Sequence, residues 1–315
     1  MASIAVVPRS KNIKGYSRSL DSLLIAPIVN KIATDNKLNP NRIRLTYKDA
    51  NGKQIALDSS KSLMDYFTGA ELTKVVDIYA KDLGPQIAWS TVFLLEYLGP
   101  LVLHLLFYGY FAIYKQVPQT QTQVLAFIMV TLHFAKREYE TLFVHRFSNA
   151  TMPLFNLFKN SSHYWFLSGF NLAFFVYGKD TASLASAGSL EKFVFHVNSL
   201  PSTVNYALFA VWAFAELSNF QTHVALSNLR NKDSKAYVIP YGYGFDLVSC
   251  PNYFFESLGW VVYSILVGNW SAWLFMIVGS GQMYIWAVQK HKRYLKTFGD
   301  DYKKLRRTAM IPYIA

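Results

Sequence analysis

The chain has 315 residues and a formal net charge of +12, and its composition is 52% hydrophobic, 17% aromatic and 16% charged. This composition is unusual for a soluble protein, and the hydrophobic residues cluster in uncharged runs, which indicates an integral membrane protein with a soluble appendage. The basic excess lies in the loops and tail between those runs, as the positive-inside rule predicts, so nucleic-acid binding is not expected. The single cysteine, Cys250, excludes an intramolecular disulfide and a multi-cysteine zinc site.

Residues 1–82 are soluble in character because charged residues are frequent there. A helical pattern near Leu23–Asp35 is flanked by three β-rich runs, Ile4–Val7, Ile43–Tyr47 and Val75–Tyr79. Between the second and third runs, Asn51-Gly52 can supply the positive φ angles of a tight hairpin. This order resembles a ubiquitin-like β-grasp domain, and a generic small α+β domain is the alternative.

Long apolar runs fill most of the remaining chain. Trp89–Tyr114 has 26 residues and one charge, Glu96, and three further candidate spans are Gln123–Ala135, Ser161–Gly178 and Phe193–Ala215. The 33 uncharged residues of Ser257–Gln289 would form a helix of about 50 Å, which is too long for one crossing, so we divide this run at Gly268-Asn269. The sequence therefore predicts a mainly α fold, in which residues 83–315 form a polytopic membrane helix bundle of about six to seven spans.

Loop charges predict the orientation of this bundle. The tail from Lys290 onward has eight basic and two acidic residues, and loops 136–160 and 228–246 are also net basic. The loop Lys179–Lys192 is neutral. The positive-inside rule therefore places both termini and the basic loops in the cytosol.

Three charged residues in or beside the first two spans are candidates for function. A carboxylate inside a span is costly, so Glu96 needs a partner, a cavity or a proton, and it is either a site group or half of a structural pair. Lys136 and Glu140 lie four residues apart on one helical face, where they could form a salt bridge. A solvated or interfacial face is the alternative for this pair.

A second polar set follows the fourth run. Asn219, His223 and Arg230 lie at offsets of four and seven, so one helix could aim an amide, an imidazole and a guanidinium in the same direction. Such a set suits phosphate or amide recognition, and a polar helix end beside the membrane is the alternative. The histidines show no HxxxH spacing joined to further ligands, so no metal site is predicted.

The stretch Tyr237–Glu256 gathers polar residues between two apolar runs. Within it, the phenol of Tyr253 could donate a proton if its surroundings adjusted its acidity, and a structural hydrogen bond is the alternative role. Cys250 is expected to be a small packed thiol because no paired histidine is evident nearby.

Five stretches in order carry a resemblance to one family. They are EYLGP from Glu96, KREYETLFVHRFSNATMP from Lys136, NFQTHVALSNLR from Asn219, SCPNYFFE from Ser249 and the tail YLKTFGDDYKKLRRTAMIPYI. Together with the ubiquitin-like start, they closely resemble the very-long-chain trans-2-enoyl-CoA reductases of the steroid 5α-reductase superfamily. The resemblance covers nearly the whole chain.

The resemblance implies an enzyme of the endoplasmic reticulum membrane that performs the last reduction of each fatty acid elongation cycle. NADPH would reduce the C2=C3 bond of a very-long-chain trans-2-enoyl-CoA to give the saturated acyl-CoA. Hydride would go to C3, negative charge would build on the thioester oxygen, and C2 would take a proton. The implied partners are the enoyl-CoA substrate, membrane lipid and other elongation enzymes.

The resemblance also implies roles for individual residues. Tyr253 in the CPNY motif would be the proton donor, and Glu96, Lys136 and Glu140 would shape the catalytic polar cluster. The implied cofactor-binding residues are Asn219, His223, Arg230, Asn252, Glu256, His291 and Tyr294. His223 stands where the steroid enzymes commonly have an acid, and His291 lies in a run that differs from theirs.

Two other functions stay open at this point. A steroid or polyprenol reductase of the same superfamily is opposed by the ubiquitin-like start and the CPNY motif. A non-catalytic membrane adaptor with a ubiquitin-like docking domain is opposed by the density of polar groups at one membrane face. The implied cofactor residues fall in the loop 219–256 or the tail, on the cytosolic side where NADPH and coenzyme A thioesters are found.

Overall fold

The computed structural model describes residues 2–147, 149–229 and 237–314. These residues form two compact units. The amino-terminal unit comprises Met1–Trp89 with Asn149–Asn156, and the helical unit comprises Ser90–Ser148 with Leu157–Ala315. Each unit has its own hydrophobic core.

A five-stranded sheet organises the amino-terminal unit. Its strands are β1 Ser3–Pro8, β2 Tyr16–Ser19, β3 Ile43–Lys48, β4 Gln54–Ala56 and β5 Val75–Asp82, in the order β2-β1-β5-β3-β4. The central pair β1 and β5 is parallel, and the other neighbours are antiparallel. Helix α1, Ile25–Asp35, buries Ile25, Ile28 and Ile32 in the same core. The three predicted β-rich runs and the predicted helix are confirmed.

The turn between β3 and β4 is wider than the predicted tight hairpin. Lys48 pairs with Gln54, so five residues form the loop, and within it only Gly52 has a positive φ, at 74°. The Asp49 carboxylate explains the wider turn because it accepts hydrogen bonds from the backbone N–H groups of Asn51 (3.0 Å) and Lys53 (2.8 Å).

A second, two-stranded sheet was not expected from the sequence. It pairs β6, Gln86–Ala88, with β7, Thr151–Pro153, in antiparallel register. The indole N–H of Trp89 donates to the backbone oxygen of Thr151 at 2.8 Å. The two strands have three residues each and are separated by more than sixty residues. Strands this short give no periodic signal, so the pairing could not be predicted from the sequence.

The described residues contain eleven α-helices, some of which continue into π-helical turns. After α1, the α-helices are α2 Trp89–Tyr108, α3 Gln121–Tyr139, α4 Phe155–Ser162, α5 Leu172–Tyr177, α6 Thr181–Ala185, α7 Ser189–Val194, α8 Ser202–Asn228, α9 Pro251–Val267, α10 Trp270–Phe298 and α11 Asp300–Lys303. Three π-helical segments lie between them: Gly109–Tyr114 follows α2, Glu140–Val144 follows α3, and His163–Asn171 joins α4 to α5. Two segments in the described ranges, Trp89–Tyr114 and Trp270–Phe298, are long and apolar enough to cross a membrane. The total of six to seven spans stays a prediction.

The fourth predicted span begins in the wrong place. It was expected from Phe193, but α7 ends at Val194 and α8 begins only at Ser202. Pro201 occupies the N-cap of α8, where its fixed φ and missing N–H suit a helix start and not a helix interior. Helix α8 then continues to Asn228, so the polar stretch from Asn219 lies on the same rigid helix as the apolar run.

The predicted helix break at Gly268-Asn269 is confirmed. Gly268 adopts the left-handed conformation with φ 69°, and the Asn269 side chain caps α10 by accepting from the backbone N–H of Ser271 at 2.9 Å. A Cβ on Gly268 would lie 2.5 Å from the side chain of Asn198, whose amide donates to the Ile265 oxygen at 2.9 Å. Only glycine fits this corner without strain.

Gly268→Ala should therefore lower the free energy of unfolding by about 1–3 kcal/mol through the positive φ, with the Asn198 clash in addition. The measurement is the unfolding transition of the purified protein in detergent mixtures. Gly281→Ala in α10 is the matched control, because a Cβ there meets no described atom within 4 Å and alanine favours the helix. Equal stability of the two variants would contradict the role of Gly268.

Candidate active site

Charged and amide side chains from three helices meet inside the helical unit. They lie at helical spacing on one face of each helix, so that packing of α3, α8 and α9 brings them together. We call this set the central polar cluster: His133, Lys136, Arg137, Glu140, Glu216, Asn219, His223, Asn252 and Glu256. Six of the nine members were predicted as site residues.

Lys136 is the link between α3 and α8. Its Nζ lies 2.6 Å from Glu216 Oε2 as an ion pair, donates to Asn219 Oδ1 at 2.7 Å, and lies 4.0 Å from Glu140 Oε1. The predicted pairing of Lys136 with Glu140 is thus present at the edge of ion-pair distance. The shorter contacts show that Glu216 is the principal counter-ion.

Glu140 is fully buried and held by Arg137 and His223. Arg137 Nη1 donates to Glu140 Oε2 at 2.7 Å, and His223 Nδ1 lies 3.0 Å from Glu140 Oε1. Burial alone would raise the pKa of Glu140, but the charges of Arg137 and Lys136 hold that pKa well below its usual range. Burial lowers the pKa of His223 and so favours the neutral imidazole, while the adjacent Glu140 carboxylate opposes that shift.

The partner of Glu96 is an amide on the helix that precedes the third apolar run. Asn160 Nδ2 donates to Glu96 Oε1 at 2.7 Å, and Glu96 is 2% exposed. The next residue, Tyr97, faces the central polar cluster, and its hydroxyl accepts from Arg137 Nη2 at 2.7 Å. The EYLGP motif therefore contributes through Tyr97 as well as through Glu96.

Helix α9 brings Asn252, Tyr253 and Glu256 to this region from its first two turns. Asn219 Nδ2 donates to the backbone oxygen of Asn252 at 2.9 Å, which ties α8 to the start of α9. Asn252 Oδ1 is buried, and within the described residues it has no hydrogen-bond partner. A buried acceptor without a donor fits an incoming amide or hydroxyl group, so this position suits a bound cofactor.

Tyr253 lies one residue from that acceptor. Its ring packs at the small apolar core around Cys250, and its centroid lies 6.3 Å from that of Trp286. Burial raises the pKa of Tyr253 to about 12, with the nearby Arg137 opposing and Glu256 adding to the shift. The phenol therefore keeps its proton at neutral pH, as a proton donor must before the reaction begins.

His291 and Tyr294 belong to a second polar group near the carboxyl end. Ser249 Oγ lies 2.7 Å from His291 Nδ1 and 2.5 Å from the Tyr302 hydroxyl. Tyr294 is buried and stacks on Tyr237 with ring centroids 5.0 Å apart. We call Ser249, His291, Tyr294 and Tyr302 the tail cluster. Arg230, the remaining predicted cofactor residue, lies outside the described residues.

Three potential metal ligands also lie close together. One ligand atom from each of Glu140, His145 and His223 falls within 4.8 Å of the others. Arg137 Nη1 already lies 2.7 Å from Glu140 Oε2 and 3.2 Å from His223 Nδ1. A permanent guanidinium in that position repels a cation, so this group suits a buried ion pair and not a metal.

His133, Arg137 and Glu216 were not among the predicted site residues. His133 and Glu216 fall at the edges of apolar runs, where a single polar residue looks incidental. The signal that could have found them is helical spacing. His133, Lys136 and Glu140 share one face at offsets of three and seven, as do Glu216, Asn219 and His223.

Comparison with known proteins places the chain among enoyl reductases. Residues 150–315 match the sequence profile of the family described as 3-oxo-5-alpha-steroid 4-dehydrogenase. A Schizosaccharomyces pombe protein named as an enoyl reductase is 45% identical over 318 residues, 99% of each chain. A very-long-chain enoyl-CoA reductase of Dictyostelium discoideum is 38% identical over 321 residues and 100% of both chains. The human protein named trans-2,3-enoyl-CoA reductase-like is 31% identical over 265 residues, which are 80% of this chain and 68% of the human one.

These matches extend over the five stretches that carried the resemblance in the sequence. They agree with the central polar cluster, because burying charged side chains in a membrane domain is costly and usually marks a functional site. The resemblance is confirmed: the chain belongs to the very-long-chain enoyl-CoA reductases within the 3-oxo-5-alpha-steroid 4-dehydrogenase family.

Proposed function

We propose that this membrane protein reduces the C2=C3 double bond of very-long-chain trans-2-enoyl-CoA thioesters with NADPH, the last step of the fatty acid elongation cycle. The observation that carries the proposal is the position of Tyr253 on α9, whose first turns also contribute Asn252 and Glu256 to the central polar cluster. A protonated phenol on a helix that also contributes to a buried network of ion pairs is a combination that suits a polar conjugate reduction.

The chemistry divides between cofactor and protein. NADPH, when bound, supplies the hydride that is added at C3 of the substrate. The chain must hold the thioester so that negative charge can build on its oxygen, and it must deliver a proton to C2. The saturated acyl-CoA leaves with one new hydrogen at each of the two carbons.

We assign the acid role to Tyr253 and the electrostatic role to Lys136. The Lys136 ammonium is the most accessible cation of the central polar cluster, with its side chain 16% exposed compared with 10% for Arg137. Glu140 and Glu96 set the charge of the surroundings, since the first is an ionised counter-charge and the second is tied to Asn160. Proton delivery from Tyr253 leaves a phenolate, which the neighbouring Arg137 charge stabilises.

The cofactor is assigned to the face that joins α8, α9 and the tail. Asn252 offers a buried acceptor for an amide N–H, Asn219 donates to the Asn252 backbone oxygen, and His223 and Glu256 belong to the same central polar cluster. His291 and Tyr294 in the tail cluster, together with Arg230, complete the proposed set. The basic tail that follows provides charges for the phosphates.

The amino-terminal unit is assigned as a ubiquitin-like β-grasp domain over residues 1–82, followed by the membrane-embedded catalytic domain over 83–315. Support comes from the mixed sheet order β2-β1-β5-β3-β4 with one helix packed on it. We place the protein in the endoplasmic reticulum membrane, with six to seven spans and both termini in the cytosol beside the other elongation enzymes. The net basic tail supports that orientation.

An activity assay tests the proposed function. The purified full chain in lipid should oxidise NADPH only when a long trans-2-enoyl-CoA is added, and the saturated acyl-CoA should form in equal amount. An enone sterol offered at the same concentration should give little turnover. Preference for the sterol would instead favour the steroid reductase alternative, and absence of NADPH binding by the folded protein would favour the adaptor.

A further inference from the structure

Glu216 and His133 form a link that joins Lys136 to Glu256. Glu216 Oε2 forms an ion pair with Lys136 Nζ at 2.6 Å, while Glu216 Oε1 lies 2.8 Å from His133 Nδ1. The other ring nitrogen, His133 Nε2, lies 3.4 Å from Glu256 Oε1. All four side chains are at most 16% exposed, so water screens these charges weakly.

The orientation of the His133 ring is fixed by its aromatic neighbours. Phe134 and Trp260 meet it edge-on, with ring centroids 4.9 Å and 4.8 Å away. In this setting Nδ1 lies within hydrogen-bond distance of Glu216, and Nε2 lies within ion-pair distance of Glu256. A continuous series of polar contacts therefore runs from Glu256 through His133 and Glu216 to Lys136.

Without Glu216, Lys136 would have no close counter-ion of its own among residues 2–147, 149–229 and 237–314. Its next carboxylate, Glu140 Oε1, is 4.0 Å away, and Glu140 is already engaged by Arg137 at 2.7 Å. The Asn219 oxygen at 2.7 Å is neutral and cannot balance the charge. Glu216 is thus the group that decides where the Lys136 ammonium lies.

We propose that Glu216 is a positioning residue of the reductase, which holds the Lys136 ammonium in its catalytic position. Through His133, Glu216 also fixes the position of Lys136 relative to Glu256, which lies on the cofactor side. This inference rests on the proposed function. It assigns Glu216 no contact with substrate, so the rate of the chemical step should depend on it more than substrate binding does.

Glu216→Gln is the informative variant because it keeps the side-chain shape and one acceptor oxygen but removes the charge. Two readouts are taken on the full-length protein in lipid. The first is steady-state kcat and KM for enoyl-CoA. The second, taken without substrate or cofactor, is acylation of Lys136 by an N-hydroxysuccinimide acetate reagent, followed by mass spectrometry relative to the exposed Lys53.

We expect Glu216→Gln to lower kcat by about tenfold to a hundredfold, with KM changed by less than about threefold. Acylation of Lys136 should rise severalfold relative to Lys53, because the ammonium is no longer held by a carboxylate. The double variant Lys136→Met/Glu216→Gln should be no slower than Lys136→Met alone, since both changes remove the same effect. Glu191→Gln, which breaks the exposed 2.8 Å pair with Lys179, is the matched control and should change neither readout.

Unchanged Lys136 acylation in Glu216→Gln overturns the inference, whatever happens to the rate. Multiplicative losses in the double variant also overturn it, because they mean that Glu216 acts elsewhere. Acylation is read without turnover, so failure of the proposed function, seen as an inactive wild type, is distinguishable from failure of this inference. If Glu216→Gln does not fold, Glu216→Asp keeps the charge with a shorter reach and should give a smaller change of the same sign in both readouts.

Discussion

Tyr253→Phe should lower kcat for enoyl-CoA reduction by about 10²- to 10⁴-fold, the range that a positioned general acid contributes. The substitution removes only the hydroxyl, so the ring packing around Cys250 is kept. NADPH should still bind, because Asn252 and Glu256 on the same helix are unchanged. The measurement is single-turnover formation of saturated acyl-CoA, together with titration of NADPH fluorescence.

Tyr284→Phe is the control for this prediction. Tyr284 lies on α10 and is 40% exposed, and it was assigned no role at the site. It should retain wild-type kcat. Turnover of Tyr253→Phe within about threefold of wild type would remove Tyr253 as the acid, since loss of a general acid costs far more than that.

Glu140→Leu should have the largest effect on stability, with the free energy of unfolding reduced by about 3–5 kcal/mol. The reason is the charge that it leaves behind. Arg137 is 8% exposed, and its Nη1 loses the 2.7 Å bond to Glu140, so a buried guanidinium remains without its carboxylate. The measurement is the unfolding transition of the purified protein in detergent mixtures.

A second variant isolates this cause. Arg137→Met/Glu140→Leu removes both charges and should recover much of the lost stability, because an apolar pair of similar volume carries no desolvation cost. Neither variant should reduce enoyl-CoA, since Glu140 is part of the catalytic cluster. A double variant that is less stable than Glu140→Leu would show that Arg137 is held mainly by other groups, such as the hydroxyl of Tyr97.

Local chemistry was readable from the sequence wherever one residue decides the structure. Gly268 ends α9 because its backbone must adopt a positive φ, and a break there was predicted from length alone. Lys136 with Glu140, and Asn219 with His223, were placed on common helical faces by spacing, and those faces do meet.

The ion-pair partners of the cluster side chains could not be predicted from the sequence, because they depend on how the helices pack. Spacing offered Glu140 as the partner of Lys136, yet the shorter contact is to Glu216 on another helix. In the sequence His133 is an isolated polar residue, and only the structure shows that it contacts one carboxylate from α8 and one from α9. Such choices follow from three-helix geometry, and no pattern along one helix encodes them.

The start of α8 shows a different limit. Phe193–Ala215 was predicted as one span from its apolar composition, but the helix begins within this run, directly after Pro201. The residues between α7 and α8 instead accept hydrogen bonds from the turn between α9 and α10, where Asn269 Nδ2 donates to the backbone oxygen of His196 at 2.8 Å. Apolar composition predicts burial or lipid contact and does not by itself predict helix.

Isotope labelling of the product tests the central claim most directly. The purified chain in lipid is given NADPH with deuterium at both C4 positions and a long trans-2-enoyl-CoA, and the acyl-CoA product is analysed by mass spectrometry and NMR. We expect one deuterium at C3 and none at C2, and in deuterated water with ordinary NADPH we expect the reverse. Cofactor deuterium at C2, or no saturated acyl-CoA from folded protein that binds NADPH, would contradict the conjugate reduction proposed for this site.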